Sequence, residues 1–214
     1  MTKALFTFFL CFTGLSSFAQ LSVTQLRIEN QENPISVDFK TPHFSWQVLA
    51  GNKRNVLQSA YEIKTGAVSN ISGAILWQSG KVTSDQSVYI AYQGPALKTG
   101  TQYYWQVRIW DNYGRVSPWS EKVTWRMGLL TQGDWKAEWI GPGYAGDAVN
   151  KPSPMFRKTI TIAKKVKSAI AYITSHGFYE AQINGQKVGD AYLTPGWTSY
   201  KNRIQYQVYD VTHM

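Results

Sequence analysis

Three aromatic residues, Tyr192, Trp197 and Tyr200, sit close together around a Pro195-Gly196 turn. Broad rings held on a turn can stack on the apolar face of a pyranose, while nearby amides and carboxylates read its hydroxyls. The competing use of Trp197 is packing onto its own domain or onto a neighbouring one. Other chemistry is poorly served. His43, His176 and His213 lie far apart, with no i, i+4 pair of the kind that holds a metal. His43 follows Pro42 and precedes a strand, so it reads as structural, and His176, before Gly177 at a strand end, is placed to touch a neighbouring domain. There is no phosphate-binding loop, no Gly-x-Ser-x-Gly elbow and no dinucleotide fingerprint. The single cysteine, Cys11, lies in an N-terminal apolar run.

The elements that must carry these residues read as β-strands. From Leu21 to Gly128, short alternating runs are broken by turn residues. His43–Val48, Tyr61–Thr65 and Val88–Tyr92 each predict a strand with one buried face. The clearest run is Tyr103–Trp110, with Tyr103, Trp105, Val107 and Ile109 pointing one way and Tyr104, Gln106, Arg108 and Trp110 the other. Turn clusters at Ala50-Gly51-Asn52, Ser69-Asn70, Ser79-Gly80 and Asp111–Gly114 separate the strands. Seven or so strands in about 105 residues have the rhythm of an immunoglobulin-like sandwich. Leu97–Tyr103 predicts a tyrosine corner, whose hydroxyl ties back to the preceding loop. With Trp46 on an early strand and Ser117-Pro118-Trp119-Ser120 opening the last one, the segment resembles a fibronectin type III domain.

Residues 129–134 read as a linker, and 135–214 as a second β segment. Strands are expected at Met155–Ile162, with Phe156, Ile160 and Ile162 on one face, and at Ser168–Thr174. Gln182–Val188 predicts a hairpin, because Asn184-Gly185 supplies the positive-φ pair of a type I′ turn. Asn184 is therefore a turn residue before it is a ligand.

The first residues form a secretory signal: a basic start at Lys3, then an apolar run from Ala4 to Leu15, then Ser17-Phe18-Ala19 with cleavage expected after Ala19. The run is too short to span a bilayer, which needs about 20 residues. Residues 1–19 are thus read as a signal peptide, and the rest as secreted or periplasmic, with no membrane partner. The formal charge of +9 raises nucleic acid or acidic polysaccharide as partners. The basic residues are scattered, however, and the one cluster, Lys164-Lys165-Val166-Lys167, reads as a solvated turn. No nucleic-acid partner is expected.

One ordered set of residues goes further. Phe156-Arg157-Lys158, Ala169–Thr174, His176–Glu180, Asn184-Gly185, Val188-Gly189-Asp190, Leu193–Tyr200 and Tyr206–Thr212 together resemble the N-terminal domain of bacterial α-L-rhamnosidases of glycoside hydrolase family 78. Members of that family often carry a fibronectin-like domain just before it, matching residues 20–128 here. The resemblance implies an all-β chain: a fibronectin type III or immunoglobulin-like sandwich, then a partial jelly-roll-like β-sandwich at 135–214. It also implies that the full-length form is an inverting hydrolase of terminal α-L-rhamnose, with a rhamnose-containing glycan as partner. The catalytic carboxylates of such enzymes lie in a downstream (α/α)6 barrel that this sequence does not include, and the second β domain is expected to be incomplete.

Inverting hydrolysis needs two carboxyl groups about 6.5–9.5 Å apart, one of them held protonated. The thirteen acidic residues are scattered over strands and turns. Asp190 and Asp210 are the most motif-embedded, yet Asp190 reads as closing a turn and Asp210 as capping the stretch before Thr212. No catalytic residue is assigned. Carbohydrate contact is assigned to Trp197, Tyr200 and Tyr192. No cofactor is assigned either, although the resemblance allows calcium, for which no ligands can be placed. The rival reading is a stand-alone secreted carbohydrate-binding or surface-adhesion β-sandwich protein. The reading frame beyond Met214 separates the two.

Overall fold

The computed structural model describes residues 21–144, 149 and 152–214. The signal-peptide reading and Cys11 lie outside them. The described chain is all-β, with two short 3-10 turns, Ile71–Gly73 and Gln132–Asp134. Among the described residues no helix is long and apolar enough to cross a membrane.

Strands β1 (Ser22–Ile28), β2 (His43–Leu49), β3 (Gln58–Gly66), β4 (Trp77–Gln78), β5 (Val82–Thr83), β6 (Ile90–Ala91), β7 (Gln102–Asp111) and β8 (Val123–Arg126) build a sandwich. One sheet runs β1-β2-β6; the other runs β4-β3-β7-β8, with β5 also pairing β3. All pairings between these strands are antiparallel. Between the sheets, Phe44, Trp46, Ile63, Trp105, Val107, Ile109, Trp125 and Met127 are essentially inaccessible to solvent. Phe44 sits at the centre, with its ring 4.7 Å from that of Trp105 and 5.9 Å edge-on from Trp125.

Strand β7 alternates as the sequence predicts, its odd positions from Tyr103 to Asp111 buried. The tyrosine corner forms: Lys98 N donates to the Tyr103 hydroxyl at 2.9 Å. The predicted strand at Val88–Tyr92 shrinks to two residues. Strand β3 departs from its predicted single buried face, since Ala60 to Gly66 are all buried. Its outward Glu62 is covered by Arg108, which pairs with it at 2.6 Å, and by Gln78. Outward Lys64 is covered by the Trp119 ring, 4.1 Å from its ammonium. Alternation reports which face meets the core, and it is silent about large polar side chains folding over the other face.

The Ser117–Ser120 stretch follows β7 by an unusual route. Pro118 has no N–H to donate to a ladder, and the flanking serines supply what the irregular backbone does not. Ile109 N donates to Ser117 Oγ at 3.0 Å and Val107 N to Ser120 Oγ at 3.1 Å. The serine N–H groups return bonds to Ile109 O and Val107 O.

The second segment is sparser. Strand β9 (Ile170–Ile173) pairs with β12 (Gln207–Asp210), and β10 (Gln182–Ile183) with β11 (Gln186–Lys187). The β10–β11 turn is the expected one, with Asn184 at φ 52° and Gly185 at φ 79°. The strand predicted at Met155–Ile162 is not formed: those residues join no ladder, and Met155, Phe156, Ile160 and Ile162 are exposed. Alternating apolar residues become a strand only where a partner edge and a face to cover are present.

The two segments touch. Tyr206, just before β12, donates its hydroxyl hydrogen bond to Asp38 Oδ1 at 2.9 Å, and the Tyr206 hydroxyl oxygen in turn accepts from Leu129 N at 3.4 Å. The Tyr206 ring meets Trp135 at 5.8 Å and Tyr172 at 6.1 Å. Burial first, and the Asp38 carboxylate second, push the Tyr206 phenol up from its ordinary value. Beside this contact, Thr99 Oγ1 donates to Asp134 Oδ2 at 2.6 Å and Thr131 N to the same oxygen at 2.8 Å.

Candidate functional site

Trp197 and Tyr200 come together, with ring centroids 6.2 Å apart. The loop that carries them is held from within: Thr198 Oγ1 donates to Arg203 O at 2.6 Å, and Asn202 N and Arg203 N both donate to Ser199 O. Tyr200 is anchored, because its hydroxyl accepts from Gly177 N at 2.8 Å and its ring stacks on His176 at 4.9 Å and 13°. Trp197 is 79% exposed. The row extends at both ends, from His176 to Trp139 at 4.6 Å and from Trp197 to Phe178 at 6.5 Å. Within this chain His176 packs between Tyr200 and Trp139, both in its own segment. The result is an open aromatic surface on which Trp197, Phe178 and Trp139 present ring area to solvent.

Tyr192 stands elsewhere. Its ring takes the Lys187 ammonium at 3.7 Å from the centroid, and Lys187 lies 3.9 Å from Glu180. Tyr192, Glu180, Lys187, Val188 and Thr194 line a small cleft of about 40 Å³, far below the roughly 300 Å³ where small-molecule pockets begin. Beneath it the Tyr179 and Tyr209 hydroxyls meet at 3.2 Å, and burial together with that bond raises the Tyr179 phenol. Nothing larger than Gly189 fits against the Tyr209 ring, and its φ of 73° suits glycine.

His43 and Asp210 are held in local hydrogen bonds. His43 Nδ1 lies 2.8 Å from Glu29 Oε1, and its ring stacks on Tyr89 at 4.0 Å. Asp210 accepts from Thr212 N at 3.0 Å, as a cap does, and the Thr212 hydrogen bonds hold its carboxyl below the ordinary value. Asp190 lies exposed in a bend after Gly189. Among the described residues no three His, Cys, Asp or Glu side chains gather as a metal site.

A family model described as Rha78A-like, N-terminal immunoglobulin domain matches residues 23–131, just over half of the chain. The chain belongs to that family. A second model, the alpha-L-rhamnosidase N-terminal domain, matches residues 164–214. Among curated proteins, this rhamnosidase-type chain is 35% identical over 196 residues to an alpha-L-rhamnosidase of Formosa agariphila, covering 87% of this chain and 21% of that protein. It is 33% identical over 203 residues to an alpha-L-rhamnosidase of Alteromonas sp., covering 88% and 22%. Among solved structures it resembles the alpha-L-rhamnosidase of Dictyoglumus thermophilum with a TM-score of 0.80 and 37% identity, covering 89% of this chain and 23% of that one. The Streptomyces avermitilis alpha-L-rhamnosidase complexed with L-rhamnose matches with a TM-score of 0.55 and 27% identity, covering 89% and 20%. The chain thus spans about a fifth of the length of the curated relatives it matches.

Sequence reasoning missed the participation of Trp139, His176 and Phe178 in the aromatic row. Their signal was available only as an aromatic-rich stretch at 135–140 and a His-Gly-Phe tripeptide, neither of which encodes proximity to residue 197. It also missed the outer face of β7, where Arg108 lies over both Trp110 and Trp119, at 5.0 and 4.8 Å.

Proposed function

We propose that this chain is the non-catalytic N-terminal part of a secreted α-L-rhamnosidase whose full-length form removes terminal α-L-rhamnose from glycosides or plant polysaccharides. Residues 1–19 serve as a signal peptide, residues 20–128 as the fibronectin-like sandwich, 129–134 as a linker and 135–214 as part of a jelly-roll-like domain. The observation that carries this reading is the adjacency, in order, of two N-terminal rhamnosidase modules. A general acid must be held protonated. Among the described residues, each carboxyl whose value is displaced, Asp111, Asp134 and Asp210, is displaced downward. These three are therefore not poised to act as such an acid. The exposed apolar residues Phe156, Ile160 and Ile162 form the face that further strands of the longer protein cover.

Within that role the Trp197–Tyr200 row is the carbohydrate-facing surface and Tyr192 is a separate contact. Calorimetric titration of the chain with L-rhamnose tests it. Binding that disappears in Trp197→Ala, with unfolding unchanged, is the expected result. Binding unaffected by that change would move the sugar contact elsewhere. The exposure of Trp197 also favours a second reading, a stand-alone carbohydrate-binding protein. Rhamnose binding by the chain suits both readings, and the reading frame beyond Met214 separates them.

A further inference from the structure

At one end of the sandwich, residues 50–57 and residues 112–116 face each other across an open cleft of about 500 Å³, lined by Lys53, Arg54, Val56, Tyr113 and Arg115. Its walls are clasped together. Leu57 N donates to Asn112 Oδ1 at 2.9 Å, Asn112 Nδ2 donates to Asn55 O at 3.2 Å, and Asn112 N donates to Leu57 O. Asp111, buried below, fixes the turn by accepting from Tyr113 N at 3.0 Å and Arg115 N at 2.9 Å. These bonds set the backbone on both sides of the cleft, at 55–57 and 111–115, before any ligand arrives, which lowers part of the ordering cost of binding.

Its charge is one-sided. Arg115 directs Nε and Nη2 at Asp111, so that charge is answered. Lys53 and Arg54 make no ion pair among the described residues, and no carboxylate lines the cleft. Tyr113 adds a ring that is 61% exposed, with the Arg115 guanidinium 5.2 Å from its centroid. A strip of Lys64, Trp119, Arg108, Trp110 and Lys81, with each cation within 5.0 Å of a ring centroid, runs along the outer face of β7 towards this end. Glu62 is the carboxylate that pairs with Arg108 in it. Arg108 and burial together hold the Lys64 ammonium below its ordinary value, burial being the larger cause.

We infer that this cleft binds an acidic polysaccharide, a glycan chain bearing uronate carboxylates, at a site distinct from the Trp197 surface. The Arg54 guanidinium matches a carboxylate in two-point geometry, Lys53 adds a second positive charge, and the Tyr113 ring offers stacking area to a pyranose. The choice of a glycan over a nucleic acid rests on the rhamnosidase reading above.

The test is affinity electrophoresis of the full chain in native gels containing polygalacturonate, an uncharged galactan or a single-stranded oligonucleotide. Retardation is expected in polygalacturonate and not in galactan, and it weakens with added salt. The double variant Lys53→Glu/Arg54→Glu should lower that affinity by about tenfold or more. Lys164→Glu/Lys165→Glu, the same change of charge on an exposed basic run elsewhere, should lower it by less than about twofold. Absence of retardation, equal losses in the two variants, or equally strong oligonucleotide binding through Lys53 and Arg54 would each overturn the proposal. Thermal unfolding of both variants separates lost binding from lost fold. The rhamnose titration and Trp197→Ala report on the other surface, so failure of either proposal leaves the other standing.

Discussion

At residue scale, single polar groups fix the ends of the sandwich. The Tyr103 hydroxyl, on a ring that is 3% exposed, is the acceptor for Lys98 N. Tyr103→Phe leaves that N–H without its partner and should destabilise the chain by about 1–2 kcal/mol in denaturant titration. Asp111 has the larger role. Burial alone would raise its carboxyl, but the hydrogen bonds from the Arg115 side chain and from the Arg115 and Tyr113 backbone outweigh it and hold the group below the ordinary range. A carboxyl depressed in the folded state contributes stability above its unfolded value near 3.9, and that contribution is lost as pH falls through the folded value. Stability should therefore decline below about pH 4. Asp111→Ala, which strands Arg115, should cost about 3 kcal/mol at neutral pH and flatten that acid decline, as read by chemical denaturation across pH. The tyrosine corner was legible because its spacing is local. The Asp111 network was less so, since Asp111–Gly114 reads as a turn without revealing that the carboxylate turns inward.

At the scale of elements, strand β7 and the run after it show both what periodicity transmits and where it stops. Alternation separates the two faces of β7, and the structure shows that its odd positions are the buried ones. The Ser117-Pro118-Trp119-Ser120 stretch was recognised as opening the last strand. The two hydroxyls that satisfy Ile109 N and Val107 N across a proline break have no periodic signature. Ser120→Ala should leave Val107 N unsatisfied in a buried position and cost about 1–3 kcal/mol, against less than about 0.5 kcal/mol for Ser153→Ala on the exposed chain. Paired equilibrium unfolding curves read the difference. Met155–Ile162 marks the opposite case. Phe156, Ile160 and Ile162 share one face there, interrupted by Lys158, yet the run pairs with nothing among the described residues, because a strand is a property of two edges and the sequence of one cannot supply the other. The aromatic row divides in the same way. Trp197 and Tyr200 were grouped correctly by nearness along the chain. Tyr192, nearer to Trp197 in sequence than many of its true neighbours are, follows β11 to the Lys187 side instead.

At the scale of the whole molecule, the fibronectin-like sandwich holds a continuous aromatic core, and the second segment leans on it through Tyr206, Trp135 and Asp134. Tyr206→Phe removes the bond to Asp38 and should leave the sandwich core unchanged while loosening the join, visible as faster amide exchange at Leu129. Unchanged exchange there would show that ring packing holds the two segments without the hydroxyl. Overall architecture was legible because turn chemistry and alternation are dense over residues 21–128. The join was not, because it depends on a tyrosine and an aspartate that are 168 positions apart. The proposed function places this chain in a longer rhamnose-releasing enzyme, with hydrolysis left to the rest of that protein. The most direct measurement is release of the chromophore from an aryl α-L-rhamnoside by the purified chain, beside the Formosa agariphila relative as positive control. The account predicts turnover by the relative and none by the chain. Turnover by the chain itself, retained after repurification, would contradict it by requiring a working acid and base within these β segments.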